Sequence, residues 1–459
     1  MAYSWQMPDI AAEKDPAKLS PWLFVALFVL AYVIGGAWRL MTWPGGKAVD
    51  HSFWLGLLLP AIAWGVLCGC LLAYRDVSQK MVDCWNIQRQ RYAFYRQQWA
   101  QQHWVVMDAA VLTPEPDLAE RLSGLEGTAP ENPGKTLPLS LGIDGTQDRA
   151  TQLLTQLLTP LAASIQAVSK IAPPKIYLQG GGPEDARTLK LVWQQLKLPA
   201  PADTVLLDPN APLLHASQQE GLAPVNVVLS YQLWKGSDDT PTYSELGAAL
   251  VIISPENAGQ IKLQSRTMLM RPIEAPVEQI EDTLTTLLQG RQTDWARLKH
   301  VWVSQLDKPT HNALRTALQD MAPTATLHDL DHAIGKPGVA GKWVLQAVAA
   351  QMIRHGQGDQ LVVGRHGRQA MTCNLVTSKP LLPSSVETLE ASLFSSYFFG
   401  VLILICAAAG CLQVMQGKPL SAILPDMACF VCIFFSLQII LTVFVLRNVR
   451  KQFWQRAFL

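Results

Sequence analysis

Long hydrophobic runs without any charged residue lie near both ends of the chain, two at each end. They span residues 21–38, 53–74, 393–415 and 427–446. Each is close to the roughly 20 residues that a helix needs to cross the hydrocarbon core of a bilayer. Short polar links join the members of each pair, and an acidic tail precedes the first run, unlike a cleaved signal peptide. The pattern therefore predicts two transmembrane hairpins that flank a soluble region.

Lysine and arginine predict the orientation of these spans. Residues 1–20 contain two of them, residues 75–96 contain five and residues 447–459 contain four, whereas the hairpin links contain only Arg39, Lys47 and Lys418. Because positively charged segments stay on the cytoplasmic side, both termini and the soluble region are expected in the cytoplasm. In a bacterium this would be the inner membrane. No span contains an ionisable residue, which argues against a transporter.

Small residues in the spans predict how the helices pack. Gly65 and Gly69 have the G-x-x-x-G spacing that lets two membrane helices approach closely. We expect the two hairpins to pack as one four-helix unit rather than to use this motif for a homodimer.

A polar helix is predicted to continue from the second span over residues 76–104. Its candidate membrane-interface residues are Trp85, Arg89, Arg91 and Trp99, since aromatic rings and arginines favour the headgroup region. A stalk helix that packs on its own domain is the alternative. The organisation is then as follows: cytoplasmic tail 1–20, hairpin 21–74, juxtamembrane helix and linker 75–136, soluble domain 137–378, linker 379–392, hairpin 393–446, cytoplasmic tail 447–459.

Short apolar strands alternate with helical stretches from residue 137 onward, which indicates a layered α/β fold. The predicted strands are 139–143, 175–179, 225–234, 248–254, 261–269, 301–304, 360–363 and 370–376. The predicted helices are 146–169, 183–196, 276–288, 310–319 and 340–354. A second round begins after Gln260, so the two halves look like copies of one unit.

Composition narrows the possible partners. The 459 residues carry a net charge of +1 and show no basic stripe, so no nucleic acid is expected. The low charged fraction, 16%, agrees with membrane segments, and membrane lipid is an expected neighbour. Of the eight cysteines only Cys84 and Cys373 lie outside the apolar runs, which excludes a disulfide framework.

Two motifs resemble ligand sites but lack features that such sites need. The glycine-rich turn 180–184 lacks both the G-K-[ST] ending and the G-x-G-x-x-G spacing, so no nucleotide or other cofactor is predicted. His328, Asp329, Asp331 and His332 crowd together, but the glycines and proline of residues 335–338 favour a loop, which would not present both imidazoles on one helical face. No metal site is predicted.

The segment H-A-I-G-K-P-G, which contains His332, Gly335 and Gly338, precedes a helix of small residues. It resembles the C-terminal part of the thiolase and ketoacyl-synthase family, and the segment around Gly247 and Ala248 resembles the last strand of the first half in that family. The resemblance covers residues 137–377. It implies a thiolase-like layered α/β domain with a two-fold internal repeat.

The departures from that family concern its catalytic groups. The family uses an activated cysteine at the start of a buried helix, but the corresponding residues 208–225 contain no cysteine. A second family histidine is replaced by Gln305 or Leu306, and Cys373 is wrongly placed for the role. Only His332 remains, so the resemblance implies a catalytically inactive domain.

We therefore expect a non-enzymatic, membrane-anchored adaptor whose domain binds a protein partner. The expected setting is a bacterial secretion system such as type VI, in which the partner would be a secreted effector or a secretion component. One alternative is a membrane-bound acyl-transfer enzyme, with His332 as base and Ser217 as nucleophile. Another is an immunity or sensor protein against a membrane-active toxin.

Overall fold

The computed structural model describes residues 5, 8–44, 51–141, 148–208, 223–234, 241–261, 267–366, 370–383, 395–416 and 420–458. The chain divides into two compact units. The membrane unit comprises residues 6–94 and 384–459, and the α/β unit comprises residues 1–5 and 95–383.

Thirteen α-helices and eleven strands lie in the described residues. The helices are α1 Pro21–Thr42, α2 His51–Ala100, α3 Leu118–Ser123, α4 Arg149–Leu158, α5 Ala162–Val168, α6 Pro183–Gln195, α7 Pro255–Ala258, α8 Ile280–Gln289, α9 Lys308–Met321, α10 Leu330–Ile334, α11 Gly341–Arg354, α12 Ser396–Met415 and α13 Leu420–Phe458. The strands are β1 His103–Leu112, β2 Lys175–Gln179, β3 Asp203–Leu207, β4 Val225–Gln232, β5 Leu246–Ile253, β6 Thr267–Met270, β7 Ile273–Pro276, β8 Leu298–Ser304, β9 Thr326–Asp329, β10 Asp359–His366 and β11 Ala370–Thr377.

Four helices among the described residues, α1, α2, α12 and α13, are long and apolar enough to cross a membrane, and they mark this chain as a membrane protein. They confirm the four predicted spans. A Cβ atom on Gly65 would lie 2.9 Å from Leu404 Cδ1, and one on Gly69 would lie 2.5 Å from Val401 Cγ2. The G-x-x-x-G face of α2 therefore packs on α12, which brings the two hairpins together as expected.

The N-terminal tail and the end of α13 pack on the same stretch of α2 within the membrane unit. Tyr92 Oη donates to the Pro8 carbonyl at 3.2 Å, and Trp85 Nε1 donates to the Ala11 carbonyl at 3.3 Å. The ring of Phe453 lies 5.2 Å from that of Trp85 and 6.0 Å from that of Tyr92. The tail, the polar extension of α2 and the end of α13 thus form one junction, here called the juxtamembrane junction.

The sheet of the α/β unit contains the same strand order twice. The first half runs β3-β2-β4-β5-β1 and the second runs β9-β8-β10-β11-β6. In each half the first three strands of this order are parallel to one another. The fourth strand pairs antiparallel with the third, and the fifth pairs antiparallel with the fourth. β1 and β6 pair in the middle, and β7 adds to β11. The predicted two-fold internal repeat is confirmed.

Burial explains the composition of the central elements. Every residue of β4 and β5 is buried, which suits their largely apolar sequences, VNVVLSYQ and LGAALVII. Helix α11 is buried on nearly all sides and packs on strands of both halves. Its small residues, such as Ala347, Ala349 and Ala350, let it pack closely on its neighbours. α4 and α6 cover the first half, and α8 and α9 cover the second.

Several predicted elements differ from the structure. The polar helix ends at Ala100, and residues 103–112 form the unpredicted central strand β1, so the α/β unit begins at Tyr95 and not at residue 137. Its run of apolar residues on both faces gives no alternation that would indicate a strand. Residues 139–141 are not a strand, although Leu139 and Leu141 are buried, and residues 142–143 lie outside the described residues.

Other corrections concern helices and edge strands. The helix predicted over 146–169 is two helices, α4 and α5, because Pro160 removes a backbone donor between them. The edge strand β3 and the short strand β7 were not predicted. The segment expected as a loop around His328 is instead the end of β9 followed by α10, whose first backbone amides donate to the Asp329 carboxylate.

Candidate functional site

The predicted base, His332, lies on the short helix α10 and is exposed. Its backbone N–H donates to Asp329 Oδ1 at 3.3 Å, and its carbonyl accepts from Asn132 N at 2.8 Å. Its imidazole makes no hydrogen bond in the described part of the chain. Ser217, the alternative nucleophile, lies outside the described residues.

A segment of the Pro-rich linker, residues 132–139, crosses the loop that follows His332, and we call it the strap. Lys336 N donates to the Lys135 carbonyl at 2.9 Å, and Leu137 N donates to Ser244 Oγ at 3.0 Å. Gly335 has a φ of 81°, and a Cβ atom there would overlap the Lys135 carbonyl oxygen. Because Gly335 has no side chain, the strap can pack directly against this loop.

Gln305 is one of the two residues, with Leu306, that the family resemblance puts in place of a second histidine. Its backbone is in the left-handed region, with φ 60°, and its N–H donates to Asp331 Oδ2 at 2.7 Å. Its side-chain amide donates to the carbonyls of Gly338 at 2.9 Å and Pro337 at 3.2 Å. A neutral amide holds this loop in place but cannot exchange a proton as an acid or base does.

Gln232, at the end of β4, holds the other side of the same loop. Its Nε2 donates to the Ser244 carbonyl at 2.6 Å, and its Oε1 accepts from Ala340 N at 3.0 Å. A Cβ atom on Gly338 would lie 2.6 Å from Gln232 Oε1. The glycine thus permits close packing of this buried amide at the start of α11.

The carboxylate of Asp331 bonds both Gln305 and the residue before it. Its Oδ1 accepts from Ser304 Oγ at 2.8 Å, and burial raises the pKa of its carboxyl to about 6. The group is therefore a mixture of both protonation states in mildly acidic solution.

A cavity of about 710 Å³ opens beside this loop. Its lining includes Asp148, Asp185, Tyr231, Trp234 and Tyr243, and we call it the acidic groove. Asp148 precedes α4, Asp185 lies in the first turn of α6, and Tyr231 is near the end of β4. The sequence search missed this set, because its members are distant in the chain and share no motif.

Arg149, the cation among the described residues that line the groove, is already paired. It donates to the carboxylate of Glu245, whose side chain is fully buried. Glu245 also accepts from Leu139 N at 2.8 Å and from Trp234 N at 2.9 Å. This ion pair joins the end of the strap to the wall of the groove.

The glycine-rich turn 180–184 lies at the same groove. Gly182 N donates to Asp185 Oδ2 at 2.5 Å, so the protein itself occupies an amide that a phosphate would need. A Cβ atom on Gly180 would overlap the Tyr231 carbonyl oxygen. The glycines here serve close packing between β2 and β4.

A buried histidine pair was also missed. His300 Nδ1 and His328 Nε2 lie 2.8 Å apart, and the ring of Trp302 stacks on His328 at 4.5 Å. Burial, and then the neighbouring His300, lowers the pKa of His328 to about 4, and burial also lowers the pKa of His300. Among the described residues no group of three or more histidine, cysteine or carboxylate side chains is placed to hold a metal ion.

The remaining predicted residues have structural positions. Gly247 and Ala248 lie in β5, where Gly247 packs on the side chains of Leu153 and Leu157 of α4. Cys373 is fully buried in β11, and burial raises the pKa of its thiol to about 12, so it is not a reactive nucleophile.

Of the four membrane-interface candidates, Trp85 is 5% exposed in the juxtamembrane junction. Trp99 lies against Trp5 at 5.2 Å and under the guanidinium of Arg271 at 4.1 Å, within the α/β unit. The packing of Trp99 favours the stalk alternative for that residue, whereas Trp85 packs on the tail and the end of α13 in the membrane unit. Arg89 is partly exposed and Arg91 is exposed.

No protein-family model and no curated protein matches this sequence. Among solved structures, the chain is similar to the oxazolomycin ketosynthase domain of Streptomyces albus JA3453, with 12% identity and a TM-score of 0.43 over 63% of this chain and 99% of that one. It is also similar to the AntDE:AntF assembly, a type II polyketide acyl-carrier protein with its ketosynthase, with 12% identity and a TM-score of 0.44 over 61% and 100% of the chains.

OleA of Xanthomonas campestris is similar at 12% identity, with a TM-score of 0.40 over 60% of this chain and 99% of that one. The repeated strand order and the buried helix α11 agree with the fold expected from the sequence. The chain is thus a membrane protein with an α/β unit whose two halves repeat one strand order.

Proposed function

We propose that this protein is a non-enzymatic adaptor, anchored in a bacterial inner membrane, whose thiolase-like unit binds a protein partner on the cytoplasmic side. The observation that carries the proposal is the chemistry of the loop before α11. Two neutral amides, Gln232 and Gln305, hold this loop, and the imidazole of His332 is exposed without a bonded partner in the described residues. An acyl transfer needs a nucleophile and a base in contact, so this arrangement favours binding over catalysis.

The juxtamembrane junction supports the proposed orientation. Because the N-terminal tail and the end of α13 both pack on the extension of α2, they leave the spans on one side. That side carries the excess of lysine and arginine, which favours the cytoplasm. A type VI secretion system, with a secreted effector or secretion component as partner, is the setting that we propose.

The test uses the full-length protein, purified from bacterial membranes in detergent. We expect it to retain a specific protein partner through size-exclusion chromatography and to show no turnover of acyl thioesters above the rate without protein. Turnover that His332→Ala abolishes, with an unchanged circular dichroism spectrum and melting temperature, would overturn the adaptor and favour acyl transfer. Protection of cells from a co-expressed membrane-active toxin would instead favour an immunity protein.

A further inference from the structure

The acidic groove contains two carboxylates that no lysine or arginine of the described residues neutralises. Asp148 is exposed, and Asp185 bonds a backbone amide of its own helix start. In the described part of the chain neither carboxylate has an ion-pair partner, because Arg149 is engaged by the buried Glu245. A cationic group that enters the groove would therefore meet two carboxylates without displacing a competitor.

A buried hydroxyl in the same groove lacks a well-aligned partner among the described residues. Tyr231 is 3% exposed, and its Oη makes no hydrogen bond of good geometry to the described residues. Buried polar groups are nearly always well bonded, so a hydroxyl in a cavity wall without a well-aligned partner indicates a ligand or a bridging water. Burial, followed by the negative charge of Asp185, a hydrogen-bond interaction with that carboxylate and the charge of Asp148, raises the pKa of Tyr231, so the hydroxyl stays neutral and its oxygen can accept from a cation.

Two further aromatic rings line the groove in rigid positions. Trp234 Nε1 donates to the Tyr243 carbonyl at 2.7 Å, and Tyr243 Oη donates to the Leu233 carbonyl at 3.0 Å. Aromatic faces attract ammonium and guanidinium groups, most strongly where water is excluded. The volume of about 710 Å³ accommodates a long side chain together with adjacent backbone.

We propose that the acidic groove binds an arginine or lysine side chain presented by an extended segment of a protein partner. The carboxylates of Asp148 and Asp185 and the Tyr231 hydroxyl oxygen accept its N–H groups, while Trp234 and Tyr243 contact its stem and charged head. This inference rests on the proposed binding function and specifies the chemistry of the partner.

The experiment uses the full-length protein in detergent micelles and two short probes, acetyl-Gly-Arg-Gly-amide and its isostere in which uncharged citrulline replaces arginine. Titration calorimetry should show that the arginine peptide binds at least about tenfold more tightly than the citrulline peptide. Binding should weaken as the salt concentration rises, because the contact is electrostatic.

The variants separate the groove from general surface charge. Asp148→Asn and Tyr231→Phe should each weaken arginine-peptide binding by at least about threefold. Glu281→Gln, which removes an exposed carboxylate of α8, is the matched control and should leave binding unchanged. Asp148 is exposed and makes no capping hydrogen bond, so its variant stays interpretable if Tyr231→Phe fails to fold. Equal affinity for both probes, or unchanged binding in Asp148→Asn, would overturn the inference.

Retention of the natural partner separates this inference from the proposed function. If the wild-type protein and Asp148→Asn retain the same partner equally well, the adaptor function stands and the assigned groove is wrong. If the arginine peptide binds selectively but the full-length protein retains no partner, the cation site stands and the adaptor function fails.

Discussion

The buried pair of His300 and His328 predicts that acid weakens the α/β unit through one identifiable side chain. His328 is 6% exposed, stacks on Trp302 and shares a 2.8 Å contact with His300. A charged imidazolium here would be desolvated and would lie beside a second ring nitrogen. Protonation of His328 is therefore far less favourable in the folded chain than in the unfolded chain.

The magnitude follows from the pKa of His328, which falls from 6.5 to about 4 on folding. Between these values the unfolded chain binds more protons than the folded chain, so the free energy of unfolding falls as the pH falls. Between pH 7 and about pH 4.5 the loss from this one group is about 2 kcal/mol. Above about pH 7.5 the unfolded imidazole is almost entirely neutral as well, so the group contributes almost no pH dependence there.

The assay compares wild type with His328→Gln, which keeps a hydrogen-bonding side chain but cannot gain a proton. Urea unfolding of the full-length protein in detergent, followed by circular dichroism, gives the free energy of unfolding at each pH. We expect the variant to be less stable than wild type at pH 7, and the difference to shrink by about 2 kcal/mol at pH 4.5. A difference that stays constant with pH would refute the assignment of the lowered pKa to this pair.

Asp331→Asn should show the opposite trend. Burial raises the pKa of Asp331 to about 6, so the contribution of this carboxyl to the free energy of unfolding of wild type grows by about 2 kcal/mol as the pH falls from 7 to 4.5. The variant has no carboxyl here and lacks this gain. Parallel pH profiles for variant and wild type would contradict this. Gly335→Ala should cost about 2–4 kcal/mol in urea unfolding, because its φ of 81° and the strap exclude a Cβ, whereas Gly364→Ala, with open space, should cost less than about 1 kcal/mol. Equal costs would remove the argument for the strap. Gly69→Ala should lower the melting temperature in detergent more than Gly410→Ala, since only the first methyl meets a neighbouring span. The reverse order would exclude this packing.

Elements bounded by glycine or proline were predictable from the sequence. β2 and α6 were placed to within one residue, because the glycines and Pro183 mark the end of a buried strand and the start of a helix. The four spans were equally clear, since a long uncharged apolar run has few alternatives. β1 was not predictable, because its ten residues are apolar on both faces and follow directly on a long helix.

The candidate site depended more heavily on tertiary structure. His332 was singled out by its motif, yet the fold leaves it exposed on α10 and assigns the inner positions to Gln232 and Gln305. The acidic groove unites Asp148, Asp185 and Tyr231 only because β2 and β4 are neighbours in the sheet.

The sequence by itself therefore determined the membrane spans, the α/β class and the repeat, since these follow from local hydrophobic periodicity. Tertiary structure decided which polar groups meet. His300 and His328 meet because β8 and β9 are neighbouring parallel strands: the register sets His300 opposite Thr326, and His328 lies two residues further along β9 on the same face. Such contacts depend on strand order and register, which no local pattern of residues encodes.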